Sequence, residues 1–278
     1  MQPAPIETLP LFPVLDELLL ELLRSLTPEE WQRPILARLW TVKDVAAHLL
    51  DGNLRTLSML RDGYFGETPD DFSYAGMVAY LNRLNADWVR AARRLSPAVL
   101  IELLAQSGAE YTAYLETLDP WAPATFSVAW AGETESRNWF HIARDYTEKW
   151  HHQQQIREAV GQTAALMTPE LFRPLIETFV RGLPHAYREV AAPMGTVVQL
   201  RVGPPIGGGW QLLRTADGWV LAENTAATAP AATVALPPEV AWKLFTKGLS
   251  PAEARLQGQF GGDPALAEAL LRLVAVMA

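Results

Sequence analysis

With 278 residues, 49% of them hydrophobic, the chain has apolar material for one large domain or two ordinary ones; having no cysteine, it cannot use disulfides, thiolate ligands or a cysteine nucleophile. Its 31 acidic and 23 basic residues leave a net charge of −8 with no run of Lys and Arg, which argues against a nucleic-acid partner. The first residues carry no basic region, and Asp16, Glu17 and Glu21 break the apolar stretch that follows, so no membrane span is expected and the expected location is cytoplasmic.

The first two thirds of the chain read as helices. Leucines recur at helical spacing from Leu11 to Leu26, and Thr27-Pro-Glu-Glu30 is a capping-box pattern with proline at the first helical position. Thr41-Val-Lys-Asp44 opens a second long helix that carries His48 and runs to about Arg61, where Asp62-Gly63 ends it. Tyr74 to Leu95 and, after Ser96-Pro97, Val99 to Leu118 give two more, closed by Asp119-Pro120. Residues 121–132 lack a clean period and read as a loop over one end of the bundle; Glu135 to Val160 then supplies the next long helix. Thr168-Pro169 starts a connector helix reaching about Val190, interrupted near Gly182-Leu-Pro184.

From Ala191 the composition changes. Residues 196–202, 210–214, 219–222 and 231–236 read as short strands, with Asp217-Gly218 as a hairpin signal. Helical patterns follow over 238–248, 250–257 and 264–277. The expected division is therefore a helical bundle with a connector over 1–190 and a small α+β domain over 191–278. Gly207-Gly-Gly209 lacks a following Lys-Ser/Thr and precedes a strand, so it reads as a plain turn rather than a phosphate loop.

The candidate site lies in Asn138 to His152. Glu148 and His152, four residues apart, point the same way one turn apart, and His48 on a separate helix would complete a His₂Glu set of the kind that catalytic zinc sites use. His141, Asp145, Glu148 and His152 form one polar stripe, opposite an aromatic stripe of Trp139, Ile142, Ala143, Tyr146 and Trp150. Periodicity alone admits two readings: the polar stripe faces solvent, as on most amphipathic helices, or it faces inward and binds a metal. His151, rotated about 100° from His152, reads as a surface or supporting residue. His141 reads as a hydrogen-bonding residue and His185 as structural, while Asp44 and Asp145, each one turn before a ligand candidate, are placed to orient ligands.

Leu39-Trp-Thr-Val-Lys-Asp-Val-Ala-Ala-His48 resembles the N-terminal signature of the DinB-like helical bundles, in particular the mycothiol-dependent maleylpyruvate isomerase group. Arg144-Asp-Tyr-Thr-Glu148-Lys-Trp-His-His152 is similar to that group's second signature. The resemblance implies an N-terminal DinB-like four-helix bundle over about 1–185 in which His48, Glu148 and His152 hold a divalent metal, zinc being the usual ion. Trp242-Lys-Leu-Phe-Thr-Lys-Gly248 and Leu256-Gln-Gly-Gln-Phe-Gly-Gly-Asp263 are similar to the sterol-carrier-like domain attached to members of the group. It further implies a thiol-using isomerase or S-transferase. In such an isomerase a cofactor thiolate, such as that of mycothiol, adds to a conjugated double bond, the resulting single bond rotates, and elimination returns the trans isomer. No motif places the residues that would choose the thiol or its electrophilic partner, and Gln153-Gln-Gln-Ile-Arg-Glu158 departs from the isomerase pattern. Two other functions fit the residues: a binding protein for an apolar ligand with a structural metal, and a hydrolase using zinc-bound water with Asp145 or His141 as proton acceptor.

Overall fold

A computed structural model of the chain describes residues 4–36, 39–222 and 229–277. The chain divides into two compact units: one comprises Glu7–Thr125 and Arg137–Leu166, the other Phe126–Ser136 and Met167–Val276 with the N-terminal segment up to Ile6. The expected division after residue 190 and this partition differ in where residues 126–136 and 167–190 go. Both segments pack with the sheet, and the part of the 121–132 loop from Phe126 onward belongs there too.

The helical unit contains α1 (Phe12–Ser25), α2 (Val42–Thr56), α3 (Tyr74–Ala92), α4 (Pro97–Glu116) and α5 (Asn138–Val160). Local chemistry sets the starts. Thr41 Oγ accepts from the Asp44 N–H, while the Thr41 N–H donates to Asp44 Oδ2 at 3.1 Å, closing the capping box of α2. Ser73 and Ser96 cap α3 and α4 in the same sense. The Thr27–Glu30 box also forms but opens only the 3-10 turn Glu30–Gln32. A π-helical turn, Leu57–Arg61, prolongs α2, and Gly161 in the left-handed region ends α5. α1, α2, α4 and α5 close around a core that includes Leu19, Leu23, Val45, Leu50, Leu104 and Ile156.

α5 has partners on most of its circumference. Trp139, Ile142, Ala143, Tyr146 and Trp150 are buried, and so are His141, Asp145, Thr147 and His151. Lys149 donates to Asp16 Oδ1 at 2.8 Å and Arg157 donates to the Leu18 carbonyl at 2.8 Å, tying α5 to α1. The polar stripe therefore turns inward, which removes the solvent-facing reading. Among the described residues no helix is long and apolar enough to cross a membrane.

In the second unit α6 (Pro169–Val180) and a short helix, α7 (Leu183–Ala186), precede β1 (Val197–Val202), β2 (Gly208–Thr215), β3 (Gly218–Ala222) and β4 (Ala232–Leu236). α8 (Pro238–Phe245), α9 (Pro251–Gln257), β5 (Gln259–Gly262) and α10 (Pro264–Leu270) follow. Strand order is β3-β2-β1-β4-β5, with β1 and β4 parallel and the other pairs antiparallel. The hairpin at Asp217 forms as expected, with Thr215 opposite Gly218. Phe179 of α6 meets Phe245 of α8 edge-on at 6.3 Å, and the Tyr187 hydroxyl donates to the Leu266 carbonyl; these contacts attach 167–190 to the sheet unit. β5 lies where the sequence offers only a Gly-rich stretch. Beyond Leu270 the expected helix gives way to an extended tail, whose Ala275 N–H donates to the Phe245 carbonyl.

Two substitutions test this construction. Burial raises the pKa of Asp44, but hydrogen bonds from Arg93 and from the Thr41 N–H outweigh it and leave the carboxyl below its ordinary value of 3.8. The cap and pair therefore stabilise the fold above that pH and lose their effect as pH falls through the lowered value. Asp44→Ala should cost about 1 kcal/mol at neutral pH, read from urea unfolding, and the gap to the parent should shrink in acid. At Gly262 φ is +76° and an added Cβ would lie 2.1 Å from the Ala231 carbonyl oxygen, so Gly262→Ala should lose about 1–3 kcal/mol and lower the melting temperature.

Candidate metal centre

His48 sits on α2 two turns past the Thr41 cap, and its ring lies between two others: Trp40 at 5.0 Å and His152 of α5 at 4.6 Å between centroids. Its Nδ1 is buried with no hydrogen-bond partner. An orphaned imidazole nitrogen facing away from water is unfavourable unless something else satisfies it.

Around Glu148 the hydrogen bonds fix the tautomers. His152 Nδ1–H donates to Gln155 Oε1 at 3.0 Å, which leaves Nε2 to face Glu148 Oε2 at 3.6 Å, too far for a hydrogen bond. His151 Nδ1–H donates to the Thr147 carbonyl at 2.8 Å, again directing the Nε2 lone pair elsewhere. Ligand atoms of Glu148, His151 and His152 all lie within 4.8 Å of one another. Ligands at about 2.1 Å around a tetrahedral zinc are about 3.4 Å apart, so the His152–Glu148 separation is close to what one ion requires.

The charge states suit a cation. Burial alone would raise the Glu148 pKa, but the neighbouring His152, His151 and Arg144 hold it well below the usual carboxylate range. Burial, followed by the neighbouring His152, pushes His48 well below its ordinary value and brings His151 down to about 3. An ionised carboxylate beside neutral imidazoles is the donor set that zinc takes. Of the three residues predicted from sequence, Glu148 and His152 have converging ligand atoms, joined there by His151, while His48 comes in from α2 with its ring against that of His152; donors of these types fit a zinc ion.

The supporting residues divide. Asp145, 7% exposed, accepts from the Tyr111 hydroxyl at 2.6 Å and pairs with Arg144 at 3.0 Å; His141 Nδ1 lies 3.6 Å from it. Arg144 Nη1 is also 3.8 Å from Glu148 Oε1, so Asp145 reaches the ligand through this guanidinium rather than directly. Asp44 is engaged with Thr41 and Arg93, capping α2 and not orienting His48. His185 belongs to the other unit, where its ring packs against Gly132. The contact of Arg144 with Glu148 escaped the sequence reading, and His151, read as a surface or supporting residue, is buried beside the carboxylate. His151 stands three residues after Glu148 and His152 four, so the two flank the carboxylate on either side, and the 100° between them does not separate them from it.

The sequence profile of the Mycothiol maleylpyruvate isomerase N-terminal domain matches residues 13–157. Among solved structures, a crystal structure of a histidine-to-alanine mutant of the mycothiol-dependent maleylpyruvate isomerase aligns over 89% of this chain and 91% of its own, with 12% identity and a TM-score of 0.51. A second crystal structure of the mycothiol-dependent maleylpyruvate isomerase aligns over 87% and 88%, with 13% identity and a TM-score of 0.49. No curated protein matches. At 12% identity the first alignment speaks for the fold, a helical unit followed by a small mixed sheet. The profile spans more than half of the chain and contains all four residues around the carboxylate: this protein belongs to the mycothiol maleylpyruvate isomerase N-terminal domain family.

Proposed function

We propose that this protein is a metal-dependent, thiol-using isomerase or S-transferase, with His48, Glu148 and His152 as ligands of a divalent ion, zinc by donor type, and a low-molecular-weight thiol such as mycothiol as co-reactant. The observation that supports the reading is the convergence of the His152 Nε2 and the Glu148 carboxylate, 3.6 Å apart on α5, with the His48 ring of α2 packed against His152 at 4.6 Å. When bound, such an ion supplies a Lewis acid that makes a thiol available as thiolate near neutral pH.

The chain's own groups do the rest. Gln155 Oε1 keeps the His152 proton on Nδ1, and Thr147 does the same for His151. Arg144, held by Asp145 and through it by Tyr111, steadies Glu148 Oε1 and leaves Oε2 toward His152. An electrophile with a conjugated double bond, as the family's description suggests, would meet the thiolate here. An apolar-ligand role is the second reading: the second unit has a cavity of about 620 Å³ whose surface is mainly apolar, with Val202, Pro204, Ala235 and Leu236 beside Gln199 and Arg201.

Purified protein should carry about one equivalent of metal per chain, and His48→Ala, Glu148→Ala and His152→Ala should each lose it by elemental analysis; unchanged metal in these variants would sink the ligand assignment. Turnover of unsaturated electrophiles by the zinc-loaded protein should require an added thiol. Thiol-independent hydrolysis would instead favour activated water. Gln155→Leu, which strands the His152 Nδ1–H, should weaken metal binding about 10–100-fold, measured by chelator competition.

A further inference from the structure

We propose that His151 is a fourth protein ligand of the same ion, bound through Nε2, so that the resting site is closed by three imidazoles and one carboxylate. The inference rests on the metal reading above and adds a residue that the two-signature pattern does not contain.

Four observations carry it. First, Glu148, His151 and His152 occupy positions i, i+3 and i+4 of α5, and their ligand atoms already converge within 4.8 Å. Second, His151 Nδ1–H is given to the Thr147 carbonyl at 2.8 Å, the backbone anchoring that metal-bound histidines commonly have. Third, His151 is 3% exposed, and its ring lies 4.0 Å from that of His152, tilted by 38°. Fourth, with the Nδ1 of each histidine turned to a carbonyl oxygen, the Nε2 atom of each is left for a shared partner beside the Glu148 carboxylate.

The consequence is a change of site class. Three protein ligands leave a position for water or thiol, whereas four close the shell as in structural sites. An incoming ligand must then expand the coordination or replace a side chain, and His151, adjacent to His152 in sequence, is the ligand whose loss leaves the His48–Glu148–His152 set intact.

The test uses the full chain loaded with zinc alone or cobalt alone. X-ray absorption at the zinc edge should count three imidazoles in the parent and two in His151→Ala, and the visible cobalt spectrum should change with that substitution. His151→Ala and His151→Gln should each bind zinc at least about 10-fold more weakly while keeping the parent's circular dichroism. His141→Gln, a change at a buried histidine outside the set, should leave the count at three. Two imidazoles in the parent would overturn the fourth-ligand assignment alone, as would an unchanged cobalt spectrum in a folded His151→Gln protein. A parent that binds neither ion would overturn both this inference and the metal reading beneath it. Should His151→Ala fail to fold, the imidazole count of the parent still decides.

Discussion

Glu148 holds a negative charge at a half-buried position on a helix enclosed by its neighbours, and much of α5 is organised around that fact. Taking an unpaired carboxylate out of water costs several kcal/mol even after the protein relaxes. The two oxygens are met differently. Oε1 faces the guanidinium of Arg144 at 3.8 Å, which is itself pinned by Asp145, whereas Oε2 faces an imidazole nitrogen whose proton has been sent the other way. One side of the carboxylate is thus met by a positive charge of the protein, and the other faces an imidazole nitrogen instead.

That asymmetry needs rigid surroundings, and the sequence of α5 supplies them. Trp150 and Tyr146 are fully buried, and Phe12 of α1 packs against both Tyr111 and Tyr146 at about 6 Å. Farther along, Gln154 donates to the Thr163 carbonyl and Arg157 to those of Leu18 and Gln162, so the polar side chains after His152 are spent on backbone groups that would otherwise be buried unpaired. A helix with so many polar residues has little amphipathic character, yet it lies at the centre of its unit because nearly every one of them has an assigned partner.

The helix starts were legible because their signals are local. Thr41 and Ser96 cap the elements they were expected to cap, and Asp217 turns its hairpin. The inward turn of the polar stripe was not legible, since periodicity says which residues share a face and nothing about what that face meets. β5 was missed because Gln259-Phe-Gly-Gly262 has low strand propensity; it forms through its pairing with β4, a long-range contact that no local pattern encodes. The nearness of His151 to Glu148 was not legible because its angle was measured from His152. Measured from Glu148, the two histidines lie about 60° to one side and about 40° to the other, and two flexible side chains can span such a wedge.

A ligand set constrains the class of chemistry more than the substrate. The groups around Glu148 decide whether a lone pair is available, whether a carboxylate is charged and whether a coordination position is open, and each of these is fixed within about two turns of α5 and one of α2. Discrimination among thiols and among electrophiles depends on walls that touch the parts of those molecules away from the reacting atoms. Two proteins with the same ligands can therefore share a reaction class and differ in substrate. Gln153, Gln154 and Gln155 are buried rather than lining an open wall, and Gln155 serves the His152 tautomer directly. The stretch Gln153 to Gln155 is therefore committed to packing and to holding the His152 ring and does not form the wall of an open cavity.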